Sequence, residues 1–121
     1  QQLSPKLTFS VVVPSVADTD DMVVMKAPYG MTITGIHCLV SAATNAVIRL
    51  RECTSTGDCA GAGSNDIDDG DLTCDTDGES DTTISTDATI DSGDWIKLNV
   101  VSISGTPGTL TVTVTYTIVA D

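Results

Sequence analysis

The chain has 121 residues with 17 Asp and Glu against 5 Lys and Arg, a formal charge of −12, and only one Phe, one Trp and two Tyr. That length fits one domain over 1–121, and a surface this acidic repels phosphate backbones and anionic lipid heads, so no nucleic-acid and no membrane partner is expected. No apolar run reaches the roughly 18 residues of a spanning helix, and a 40% hydrophobic content that includes 13 Val argues against a disordered acidic chain.

The 19 Thr and 11 Ser beside those valines favour pleated sheet, because branched side chains lose rotamer freedom in a helix. Residues 6–13 place Phe9, Val11 and Val13 on one face, and 22–27 form a short apolar run closed by Pro28, Tyr29 and Gly30. In 31–41 the apolar phase moves from Met31 and Ile33 to Ile36, Cys38 and Val40, which predicts a bulge at Gly35. A turn at 43–45 leads into 46–53, where Ile48 and Leu50 alternate with Arg49 and Arg51. A further short strand is expected at 82–85 or beside Leu72.

Downstream, 95–102 sets Ile96, Leu98 and Val100 against Lys97 and Asn99. A turn at 104–108 follows, and then Leu110, Val112, Val114, Tyr116 and Ile118 alternate with four threonines, the mark of a half-buried strand. These last two runs are expected to pair as a hairpin. Seven to eight short strands between Pro, Gly, Asn and Asp turns predict an all-β fold, a single antiparallel β-sandwich or jelly roll with little or no helix.

Cys38, Cys53, Cys59 and Cys74 show no CxxC spacing, and His37 points to the opposite strand face from Cys38, which argues against zinc and against a Cys-His nucleophile. Free core thiols or two disulfides remain, and disulfides are the expectation: Cys53 with Cys59 across a short polar loop, leaving Cys38 with Cys74. Such bridges belong outside a reducing cytosol or in a thermophilic host.

Twelve acids and no Lys or Arg lie between Asp58 and Asp94, so the rest of the chain is neutral and the whole charge sits in this loop-rich region, 58–94. Calcium is the sharper reading, with Asp68, Asp69, Asp71, Asp75 and Asp77 as its candidate ligands. The spacing does not match an EF-hand loop: with Gly70 as the sixth position, Ile67 falls on the third. A solvated, mutually repelling surface with no cofactor is therefore the expectation, and this segment should face solvent or a cation while subunit contacts come from the neutral strands.

No enzyme is expected. There is no GxSxG, no phosphate-cradling Gly loop, and too few aromatics to line a sugar groove as well as a core. Trp95, at a strand start, is expected at the core edge rather than as a sugar-stacking platform. The four threonines of the last strand face water or form a flat hydrogen-bonding contact with a neighbouring subunit. The N-terminal run is either the first strand of its own sheet or an addition to a neighbour's open edge.

Taken together, "TFSVVVPSVADTDDMVVMKAPYGMTITGIHCLV", "IRLRECTSTGDC", "DATIDSGDWIKLNVVSISGT" and "LTVTVTYT" resemble small β-sandwich virion-associated proteins of bacteriophages and environmental viral sequences. The resemblance implies a non-enzymatic capsid-decoration or tail-associated β domain at the virion surface. Its implied partners are copies of itself, as a trimer or polymer, and a capsid or tail protein. It supplies no catalytic residues. Two alternatives stand beside it: a subunit of a secreted extracellular filament that exchanges its N-terminal strand, and a carbohydrate-binding module, which the aromatic count disfavours.

Overall fold

A computed structural model describes residues 6–17, 21–42, 44–54, 65–67, 71–84 and 89–119. Among them run ten strands and no helix: β1 (Leu7–Val13), β2 (Asp21–Lys26), β3 (Met31–Val40), β4 (Asn45–Cys53), β5 (Asn65–Asp66), β6 (Leu72–Cys74), β7 (Glu79–Asp81), β8 (Thr89–Ile90), β9 (Trp95–Ser104) and β10 (Leu110–Ile118). The count exceeds the expected seven to eight because β5, β7 and β8 are pairings of two or three residues, too short to leave a periodic signal. The short strand expected beside Leu72 is β6. Residues 82–84 are not strand, the paired segment lying just ahead at Glu79–Asp81, and Ser85 falls outside the described residues.

The strands form two antiparallel sheets packed face to face. One has the order β1-β10-β3-β7, with β8 also on β3, and the other has the order β2-β9-β4-β5, with β6 also on β4. Burial alternates along β10 as the sequence alternates: Leu110, Val112, Val114 and Tyr116 are buried, and the intervening threonines are half-buried. Met31, Ile33, Ile36 and Val40 of β3 meet Ala46, Ile48 and Leu50 of β4 and Ile96, Leu98 and Val100 of β9 in one aliphatic core. Each such Leu or Ile taken fully from water contributes about 1.5–3 kcal/mol.

The expected C-terminal hairpin is not present. β9 pairs with β2 and β4, β10 pairs with β1 and β3, and the two lie in opposite sheets. Both have one apolar face and both turn it to the same core, from opposite sides. The link between them crosses the end of the sandwich, with Gly105 and Gly108 in the left-handed region at φ 68° and 78°. The bulge does fall at Gly35: Thr115 pairs with Gly35 and Tyr116 with Ile33, so Thr34 is the extra residue. Within the N-terminal run, β1 is an edge strand of its own chain's sheet, antiparallel to β10, and residues 1–5 lie outside the described residues.

Candidate functional site

The two sheets are tied covalently. Cys38 on β3 is bonded to Cys74 on β6, with Cα atoms 5.4 Å apart and both side chains buried. β6 belongs to the opposite sheet through its pairing with β4, so the bond spans the sandwich. Cys53 is buried at the end of β4. Its expected partner, Cys59, lies outside the described residues, and no cysteine among the described residues is free.

The outer face of the β2-β9-β4-β5 sheet is built of charge. Four of the five basic residues stand on it: Lys26, Arg49, Arg51 and Lys97. Arg51 and Lys97 are directly opposite one another, a placement that repels unless acids intervene. They do. Lys97 Nζ is 3.1 Å from Asp21 Oδ2, and Arg51 Nε donates to Asp66 Oδ1 at 2.8 Å. Asp66 Oδ2 also lies 3.6 Å from Arg49 Nη1, and Arg49 Nε donates to Asp71 Oδ1 at 2.6 Å. The Lys97 side chain is only 3% exposed, so its ammonium is a nearly buried charge that the Asp21 carboxylate offsets. Trp95 is half-buried at the strand start with Lys26 Nζ 5.6 Å from its ring centroid, so a cation covers the ring.

Of the calcium candidates, Asp68 and Asp69 lie outside the described residues. Asp71 is committed to Arg49, whereas Asp75 Oδ1 accepts the backbone N–H of Asp77 at 3.0 Å in the β6–β7 turn, which closes through Gly78 at φ 85°. Among the described residues the carboxylates that do converge are others: Glu52, Asp91 and Asp94 offer oxygens within 4.8 Å of one another. Glu52 follows Ala46, Ile48 and Leu50 on the inward side of β4 and is buried, and its Oε2 accepts the Asp91 N–H at 3.2 Å. Carboxylate oxygens are the ligands a hard cation takes, and these three would supply about half of the six to eight that calcium needs. Here one of them also caps the turn that leads into β9. The inward position of Glu52 is legible from the alternation, but its meeting with Asp91, 39 positions away, is not.

The outer face of the β1-β10-β3-β7 sheet is the chemical opposite, a set of cross-strand rows carrying hydroxyls. One row runs Ser10, Thr113, His37, Ser80, and the next runs Val12, Thr111, Leu39. The hydroxyls bind one another sideways. Ser10 Oγ lies 3.0 Å from Thr113 Oγ1, Thr34 Oγ1 donates to Thr115 Oγ1 at 3.2 Å, and His37 Nδ1 is 2.8 Å from Ser80 Oγ. No carboxylate occupies an outward position of β1, β10 or β3. Val12 is 59% exposed and Leu39 46%, flanking Thr111 at one end of the face.

At the far end of β10, Tyr116 stacks at a tilt on Phe9 with ring centroids 6.0 Å apart, and its hydroxyl is 3.4 Å from that of Tyr29. That hydrogen bond first, and then burial, hold the Tyr116 phenol above its ordinary pKa of 10.0. A cleft of about 320 Å³ opens beside the β9–β10 link, lined by Ser15, Val16, Ala17, Ile103, Gly105, Thr106 and Gly108. It carries no titratable side chain and so offers volume without acid–base chemistry.

No protein-family model matches the chain, and no curated protein matches it. Among solved structures, a chain of the "Cyanophage Pam1 capsid asymmetric unit" is similar to it at 15% identity and a TM-score of 0.45, over 95% of this chain and 84% of that one.

Proposed function

We propose that this chain is a non-enzymatic structural subunit of a virion surface, a capsid-decoration or tail-associated β domain that assembles with copies of itself and with a capsid or tail protein. The observation that carries this reading is the segregation of charge. Ion pairs and acids, with Val23 among them, occupy one outer face and the loop-rich segment, while the other outer face presents hydroxyls, Val12 and Leu39 and holds no carboxylate on β1, β10 or β3. A scaffold that must stay soluble and still make contacts is served by that division. The residue patterns shared with small virion-associated sandwiches point the same way.

The chain is taken as one jelly-roll domain over 1–121, supported by the facing strand orders β1-β10-β3-β7 and β2-β9-β4-β5. A Cys53–Cys59 bond is part of the same proposal, and together with Cys38–Cys74 it suits persistence outside a reducing cytosol. A secreted filament subunit is the second reading. It is favoured by the edge position of β1, which pairs with β10 alone among the described residues and is placed to be exchanged.

Size-exclusion chromatography with light scattering separates these readings. A discrete assembly, a trimer or small ring or a dimer that fills as concentration rises, is the expected result. Open polymers would indicate the filament, and a monomer retained on a polysaccharide column would indicate a carbohydrate-binding module.

A further inference from the structure

We infer that the hydroxyl face of the β1-β10-β3-β7 sheet is a contact between two copies of this chain, each presenting the same face to the other. The inference deepens the self-association in the proposed function and names its surface and partner. The occupant follows from charge. Two chains of −12 each repel wherever their acids meet. The outward positions of β1, β10 and β3 hold no carboxylate, so two of these faces can approach without like-charge contact. In an isologous pair a patch meets its own equivalent, so a face without carboxylates meets another without carboxylates. Among the described residues the one cation beside it is Lys6, exposed just ahead of β1, so an acidic partner finds little complementary charge there.

The face is also suited to lose its water. Four of its hydroxyls are already bonded in pairs, Ser10–Thr113 and Thr34–Thr115, which lowers the cost of desolvating them, while Thr8, Thr32, Thr111 and Thr117 keep hydroxyls for bonds across the contact. Val12 and Leu39 add apolar surface that is 59% and 46% exposed in the single chain. The 9 residues of β10 give a length of about 30 Å, and the neighbouring strands a width of about 15 Å, so a pair buries on the order of 900 Å². That is below the roughly 1,200 Å² at which stable specific interfaces begin, so the dimer expected is weak and concentration-dependent.

Analytical ultracentrifugation of the full chain from about 10 µM to about 1 mM tests this. Wild type is expected to dimerise reversibly. Thr113→Glu, and Leu39→Glu at a half-exposed position, should each raise the dissociation constant at least about tenfold, with unchanged circular dichroism. Thr73→Glu, exposed on the other sheet, should leave it unchanged. An equimolar mixture of Thr113→Glu and Thr113→Lys should associate more tightly than either alone. The inference is overturned if folded Thr113→Glu and Leu39→Glu dimerise like wild type, or if wild type stays monomeric throughout. A discrete oligomer that both variants leave intact would remove this face while sparing the structural-subunit proposal. Open polymers or sugar-retained monomers would remove that proposal instead.

Discussion

Cys38 and Cys74 join the two sheets through the core: the first sits two residues before the end of β3, the second closes β6 on the opposite side, and their sequence separation is 36. A loop of that length constrains the unfolded chain strongly, and the chain-entropy relation puts the stabilisation at about 4 kcal/mol. The double variant Cys38→Ala, Cys74→Ala should therefore melt about 10–20 °C lower than wild type. With both sulfurs buried, native protein should resist mild reductant until it unfolds. Calorimetry with and without reductant, beside mass spectrometry of alkylated native protein, checks both expectations. Rapid alkylation of Cys38 and Cys74 in the folded state would contradict them.

Thr111 and Val114 lie on opposite faces of β10, and their isosteric exchanges separate the two environments. Val114→Thr places a hydroxyl in a fully buried site and should cost about 1–3 kcal/mol. Thr111→Val, on the outer face between Val12 and Leu39, should change stability by no more than about 0.5 kcal/mol. Urea denaturation of the two variants gives both values, and equal losses would mean that the register of β10 is wrong.

Gly105 and Gly93 both occupy the left-handed region, yet their surroundings differ. A Cβ on Gly105 would collide with Thr44 Cγ2, whereas at Gly93 it would meet nothing within 4 Å. Gly93→Ala should cost about 1 kcal/mol, from backbone strain alone. Gly105→Ala adds the collision at the crossing between sheets and should cost about 2–4 kcal/mol. Thermal melts should rank the two in that order.

Tyr116 holds its proton more tightly when folded than when unfolded, because Tyr29 is bonded to it and because it is buried. The stability this contributes is fully present below the ordinary phenol pKa. It is lost as pH rises past about 10, where the unfolded chain gives up the proton first. Melting temperature should accordingly fall on the alkaline side, and Tyr29→Phe should move the phenolate absorbance transition of Tyr116 to lower pH. An unmoved transition would mean that the Tyr29 contact does not hold the proton.

Which side of each long strand faces the core was legible, because the period of two survives in 31–41, 46–53, 95–102 and β10, and the phase change at Gly35 marked the bulge correctly. Partners were not legible. Alternation states which face is apolar and is silent on which strand lies alongside, so β9 and β10 were expected to pair and instead sit in opposite sheets. For the same reason the acidic segment reads as a surface that faces solvent or a cation. Asp66 and Asp71 are instead drawn onto Arg51 and Arg49, a placement set by β5 and β6 docking on β4. The Glu52, Asp91 and Asp94 group depends on the turn before β9 reaching the end of β4, a tertiary contact that no local pattern records.

Quantitative mass spectrometry of density-gradient-purified virus particles from the source of this sequence tests the structural-subunit reading most directly. The account predicts that the chain bands with nucleic-acid-containing particles, at a fixed ratio to their major capsid or tail protein that survives a second gradient. Recovery of the chain only in cell-derived filaments or in the free soluble fraction would contradict it.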